Sequence, residues 1–305
     1  MTSKFDLIIK NGRIIDGTGN PWYNADIGVV GGGITAILPR GDAGKAEQVI
    51  DASGMVVSPG FIDTHSHDDA YVIIDPQCSQ KVLQGVTTTV MGNCGFSLTP
   101  ITDGRCSEWK KASSLMGGNL LDDDFWSLRS FAQYLEKLDT VQLGINVVPL
   151  VGHGTIRVAV MGFEDRAPTE SEMTAMKTMT TEAMQAGAFG LSTGLIYVPA
   201  NYAKTEEVIE LARVAAQFGG LYATHMRSEG DHEMEAIQEV LKIARAADIA
   251  VHIAHHKVAG RKNWGNSKLT LQAFSDARRD GLTVSWDQYP YRCLLYTADA
   301  ADASS

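Results

Sequence analysis

The chain has 305 residues, 44% hydrophobic and 20% charged, a balance that excludes a disordered, collagenous or coiled-coil protein. Its net charge of −10, from 26 basic against 36 acidic residues, argues against a nucleic-acid partner. No apolar run approaches the roughly 18 residues of a membrane span, and the N-terminus lacks a secretory cleavage pattern, so no membrane partner and a cytoplasmic location are expected.

Residues 5–58 alternate at period two between glycine-rich turns (DLIIKNGRIID, ADIGVV, ITAIL), which predicts a small antiparallel β unit. Beyond Ser58 the pattern changes. Apolar strand-like runs recur at 56–67, 87–97, 145–154, 188–197, 221–229, 250–258 and 282–291. Helix-periodic segments lie between them, the clearest at 169–187, 205–220 and 233–248. Such alternation predicts an α/β fold with a parallel sheet covered by helices. Seven β/α units are legible, one short of an eight-stranded barrel.

Histidines and other polar residues gather at the C-terminal ends of these runs: His65, His67, Cys94, His153, His225, His255, His256 and Asp287. That end of a barrel is where chemistry sits. His65 and His67 alternate on one strand and so share a face. Alone, such a pair is a modest signal. Joined to His225 and His255 ending two later strands, it predicts a metal site. Cys94, between glycines at a strand end, fits the same site as a thiolate, although a buried cysteine is most often only a small hydrophobe. The four cysteines show no CxxC spacing and read as reduced thiols.

His256 would point away from its neighbour on an extended strand, His252 lies deeper along it, and His232 falls past the fifth strand. The GLSTG segment at 190–194 matches a nucleophile elbow. That elbow needs a helix directly after Ser192, and LIYVPANY supplies none. Asp287 suits either a carboxylate supporting the site or a plain strand-end acid. Lys257 and Arg227 could each meet a substrate carboxylate or simply be solvated.

Taken together, SPGFIDTHSHDD, QGVTTTVMGNCGFS, VGHGTIR, GLSTGLIY, THMRSE, AHHKVAG and WDQYPY resemble the amidohydrolase superfamily. Within it they resemble the D-aminoacylase (N-acyl-D-amino-acid deacylase) family, in order over about residues 5–292. GNCG with THMRSE and HHK separates this group from cyclic amidases that carry a carboxylated lysine. The resemblance implies a (β/α)8 TIM barrel, here with seven of eight strands (59–292), and a small N-terminal β-sandwich unit (1–58). It implies metal ligation by His65, His67, Cys94, His225 and His255, with a tight zinc site on the cysteine and the two later histidines and a weaker second site on the HxH pair. It implies substrate contacts at Tyr197, Lys257 and Tyr289. The implied activity is hydrolysis of N-acyl-D-amino acids, with cyclic-imide or amide hydrolysis, or a non-catalytic metal-binding remnant, as alternatives.

The family's catalytic aspartate is expected beyond position 292, where the only acids are Asp299 and Asp302 in an alanine-rich tail. The segment CLLYTADAADASS (293–305) departs from any barrel pattern and looks like translated adapter sequence. The expectation is therefore a C-terminally truncated chain with a non-native tail, itself nearly inactive and with unpaired strand edges.

Overall fold

The computed structural model describes residues 5–42 and 44–289 and divides between Phe61 and Ile62 into two compact units. In the first, strands β1 (Phe5–Ile14), β2 (Tyr23–Val30), β3 (Gly33–Leu38) and β4 (Ala46–Asp51) form one sheet in the order β3-β2-β1-β4, with β5 (Val56–Val57) also paired to β1. The sheet is not purely antiparallel. β1 runs antiparallel to β2, but β4 and β5 lie parallel to it. The linker after β3 crosses to the far edge of β1, a return that the charged AEQVID segment did not announce. A bulge at Asn11 (φ 63°) breaks the alternation. The buried side chains accordingly fall into two clusters, Phe5 with Ile8 and Ile14 with Ala25 and Ile27.

In the second unit, β6 (Phe61–Asp63), β7 (Val86–Met91) and β8 (Asn146–Pro149) form one sheet. A second holds β9 (Val151–Gly152), β10 (Gly190–Gly194), β11 (Leu221–His225), β12 (Ala250–Ile253) and β13 (Val284–Trp286) in chain order. β8 and β9 are one segment interrupted at Leu150. Its first half pairs in parallel with β7 and its second with β10. The described residues thus supply seven successive strand positions. The pairs from β9 to β13 are all parallel.

The helices are α1 (Tyr71–Ile74), α2 (Ser79–Val82), α3 (Cys106–Ala112), α4 (Phe131–Thr140), α5 (His153–Met161), α6 (Glu170–Ala186), α7 (Thr205–Gln217), α8 (Glu233–Ala247) and α9 (Ser267–Arg279). α6 starts where the sequence signals a stop to extended chain. Thr169 Oγ1 accepts from the Glu172 amide and the Glu172 carboxylate accepts from the Thr169 amide, a capping box worth about 1 kcal/mol. α7 buries Val208, Leu211, Ala212 and Ala215, and α8 buries Ile237, Val240, Leu241 and Ala244. Both sets recur at i, i+3, i+4, i+7, the stripe that faces a sheet. They join Leu191, Tyr222, Val251, Ile253 and Val284 of the strands in one core, where truncating a leucine such as Leu241 to alanine costs about 2–5 kcal/mol.

α5 was not foreseen, since it begins directly at the strand end with a glycine second. The fully buried Arg157 anchors it, donating to both oxygens of Glu207 on α7 at 2.7 Å. The expected non-native tail (293–305), with Cys293, Asp299 and Asp302, lies outside the described residues.

Candidate metal centre

The strand ends of β6, β7, β11 and β12 bring five of the sequence candidates together. The ligand atoms of His65, His67 and Cys94 lie within 4.8 Å of one another, and so do those of Cys94, His225 and His255. Cys94 belongs to both groups. Its Sγ is 3.4 Å from His65 Nε2 and 3.6 Å from His255 Nε2. The His225 and His255 rings meet edge to face with centroids 4.2 Å apart, and the His65 and His255 rings are tilted at 4.9 Å.

The backbone is bent to achieve this. Cys94 and His255 both have positive φ, 54° and 35°, a region that costs a non-glycine residue of order 1–3 kcal/mol. For Cys94 the neighbourhood enforces the turn. The Gly92 amide donates to Asp69 Oδ2 at 3.1 Å, and Asn93 Nδ2 donates to the Ser66 and Val90 carbonyls at 3.3 and 3.1 Å. Ser192 Oγ accepts from the Gly95 amide at 3.1 Å and donates to the Gly92 carbonyl. The serine of the elbow-like motif is therefore a buried clasp on the cysteine turn. Its flanking glycine has a steric reason too, because a Cβ on Gly194 would sit 2.1 Å from the Cys94 carbonyl oxygen. Burial pushes the Asp69 carboxyl up to about 7, as expected of an acid whose role is local hydrogen bonding.

Two carboxylates support the histidines. Glu229, four residues past His225, is buried and has its Oε1 2.8 Å from His255 Nδ1, 2.6 Å from Lys257 Nζ and 3.6 Å from His225 Nε2. Burial opposes its ionisation, but these cationic and N–H neighbours outweigh burial and hold the carboxyl down to about 2. Sequence reading passed over Glu229; its only local signal was an acid just beyond a strand-end histidine. Asp287, left between two roles by the sequence, accepts from the His255 amide at 2.6 Å and sits 2.8 Å from His252 Nε2.

The donor set fits a borderline metal ion. His225 is 6% exposed, yet neither of its ring nitrogens has a hydrogen-bond partner. An unsatisfied buried imidazole is costly, and a cation beside it removes that cost. Burial, with His255 and Lys257 adding to it and Glu229 opposing, lowers its pKa to about 3, so the ring is neutral and able to ligate. His255 Nδ1 faces both the Glu229 carboxylate at 2.8 Å and the Lys257 ammonium at 2.9 Å, which leaves Nε2 as the ring nitrogen turned toward Cys94.

Of the candidate substrate residues, Tyr197 packs its ring 4.8 Å from that of His225. Lys257 Nζ contacts Glu229, His255 Nδ1 and the His255 carbonyl, the last two at 2.9 Å, and lies 5.5 Å from the Tyr289 ring centre. Arg227 is committed elsewhere, to Glu239 and the Asn201 and Ala203 carbonyls. His153 does not join the cluster. It is the first residue of α5, fully buried, with Nε2 2.9 Å from Glu207. His256 turns away onto Thr270 and Phe274 of α9, and His232 is 80% exposed.

Comparison with known proteins places this geometry in context. A family model described as "Amidohydrolase family" matches residues 48–294. D-aminoacylase of Alcaligenes xylosoxydans xylosoxydans is 44% identical over 290 residues, covering 94% of this chain and 57% of that protein. A crystal structure of D-aminoacylase superposes with a TM-score of 0.85 at 42% identity, covering 94% of this chain and 59% of that one. N-acyl-D-glutamate deacylase from Bordetella bronchiseptica, complexed with zinc and a phosphonate inhibitor, gives 0.84 at 41% identity over the same shares. The chain thus spans rather more than half the length of the relatives it matches, with the same barrel architecture. No helix among the described residues is long and apolar enough to cross a membrane.

Proposed function

Since the chain belongs to the amidohydrolase family, we propose that it carries the metal centre of an enzyme hydrolysing the amide bond of N-acyl-D-amino acids to a D-amino acid and a carboxylate. The observation that carries this reading is the convergence of Cys94, His225 and His255 within 4.8 Å, on the GNCG, THMRSE and HHK segments. These three would hold the tighter ion, zinc being suited to thiolate with imidazole, and His65 and His67 would share Cys94 in a second, weaker site. When bound, such an ion supplies Lewis-acid chemistry, polarising an amide carbonyl and acidifying water.

The chain's own residues then orient and select. Glu229 orients the His255 ring through Nδ1 and keeps the Lys257 ammonium beside the cluster. Lys257, with Tyr289 next to it, would receive the substrate α-carboxylate, and the Tyr197 ring against His225 would wall the amide. Among the described residues, those from Ile62 onward would belong to the hydrolase barrel and those up to Phe61 to a small β-sandwich unit. A reducing cytoplasm suits a thiol ligand.

The test is amine release from N-acetyl-D-methionine, N-acetyl-D-glutamate and their L-isomers by a zinc-loaded version extended to the length of its relatives, since the 305-residue chain itself is expected to be nearly inactive. D-selective release is expected. Turnover of a cyclic imide in place of both D-substrates would reassign the substrate class, and zinc binding without any turnover would leave a metal-binding protein.

A further inference from the structure

We propose that Asp287 is a positioning residue that couples the two groups of candidate ligands, an inference that rests on the metal reading above. One carboxylate reaches both groups. Its Oδ1 accepts the His255 amide at 2.6 Å, at the residue whose φ of 35° most needs an anchor. Its Oδ2 lies 2.8 Å from His252 Nε2 and 3.4 Å from His65 Nδ1. His252 is held in turn, with Nδ1 2.8 Å from Ser285 Oγ. With the Ser285 hydroxyl donating to Nδ1, the Nε2–H of His252 is directed at Asp287. Oδ2 approaches His65 Nδ1 as a charge contact rather than a hydrogen bond, and Nε2 of that ring faces Cys94 Sγ, 3.4 Å away.

Asp287 thus stands against His65 more loosely than Glu229 stands against His255, and in addition pins the His255 main chain. An acid serving only β13 would need none of these contacts. Partners one step removed from a metal typically change its affinity by about 10–100-fold, and the two oxygens predict different losses. Asp287→Asn keeps a carbonyl oxygen for the His255 amide but presents an NH2 to His252 and His65. Asp287→Ala removes both contacts.

Zinc titration of the metal-depleted protein against a chromophoric chelator separates these cases, with thermal unfolding of the metal-free form recorded alongside. Asp287→Asn is expected to weaken the weaker zinc step by about 10–100-fold and leave the tighter step within about threefold. Asp287→Ala is expected to weaken both. His252→Gln, which leaves the carboxylate in place and unsettles only its support, should give a smaller loss in the weaker step, and it carries the test with Asp287→Asn if the alanine variant does not fold. Unchanged zinc affinities with a lowered melting temperature overturn the proposal, making Asp287 a fold residue. Failure of the unaltered protein to bind zinc overturns the ligand reading itself, and Asp287 with it.

Discussion

The two ligand groups share one sulfur and differ in what surrounds them. Around His225 and His255 the strands β11 and β12 are paired in parallel, the buried Glu229 carboxylate lies beside both rings, and His225 is 6% exposed. Around His65 and His67 the chain has left β6, a strand of three residues, and His67 is exposed. A ligand seated at the end of a paired strand has little left to organise when an ion arrives. A ligand on a short edge segment must be ordered by the ion. The comparison predicts that any affinity for metal on this face follows how much of the cost of ordering the fold has already met.

The largest effect should come from the atom common to both sides. Cys94→Ala is expected to abolish zinc retention in both groups and to lower any hydrolysis by more than about 100-fold, above the range typical of supporting partners; metal analysis after gel filtration reads the first and amine release the second. Retention of one equivalent would show that one group stands without the sulfur. Next, His225→Ala and His67→Ala should part company. The first should lose the tighter zinc step and turnover together, the second only the weaker step, and equal losses would erase the distinction drawn here. Glu229→Gln comes third, with zinc affinity on the His225–His255 side reduced about 10–100-fold and restored occupancy at raised zinc.

The smallest effect is a control remote from both groups. Glu172→Gln keeps an N3 acceptor for the capping box of α6, as Gln133 does at α4, but removes the charge that pairs with Arg166, and should cost less than about 1 kcal/mol without altering zinc stoichiometry. The Arg166 guanidinium, with the Thr169 amide, holds the Glu172 carboxyl down to about 2 from an ordinary 4.5. Its stabilisation is therefore complete above pH 4.5 and is lost as pH falls toward 2. Acid titration of the melting temperature should show the variant's deficit vanish over that window, whereas zinc loss accompanying it would mean that global destabilisation alone empties the site.

Much of this was readable from the chain. The period-3.6 stripes of α6, α7 and α8 and the apolar runs of β10 to β12 are set locally, so spacing alone located them. The convergence of the histidines followed from one rule, that strand ends on one barrel face meet. What escaped was whatever depends on a neighbour distant in sequence. Glu229 matters because parallel pairing sets β12 beside β11 and carries His255 over it, and no spacing within THMRSE encodes that. Ser192 looked like a failed nucleophile because its partners, the glycines around Cys94, lie about a hundred residues away. β4 was missed because parallel pairing at a sheet edge tolerates a charged, poorly alternating segment. α5 hid behind a strand that it follows without a pause.

That last junction constrains how this scaffold can change. β9 ends at Gly152 and α5 begins at His153, so the third strand position has no intervening loop. A Cβ at Gly152 would sit 2.4 Å from the Gly95 carbonyl oxygen, and Arg157, one turn on, is tethered to Glu207. An insertion here would have to push a buried ion pair out of the core before it reached the site. Between β7 and β8, by contrast, the chain travels from residue 92 to 145. Variation in what the centre accepts has room to accumulate along that excursion and in the stretch between β10 and α7, while the third strand stays closed to remodelling.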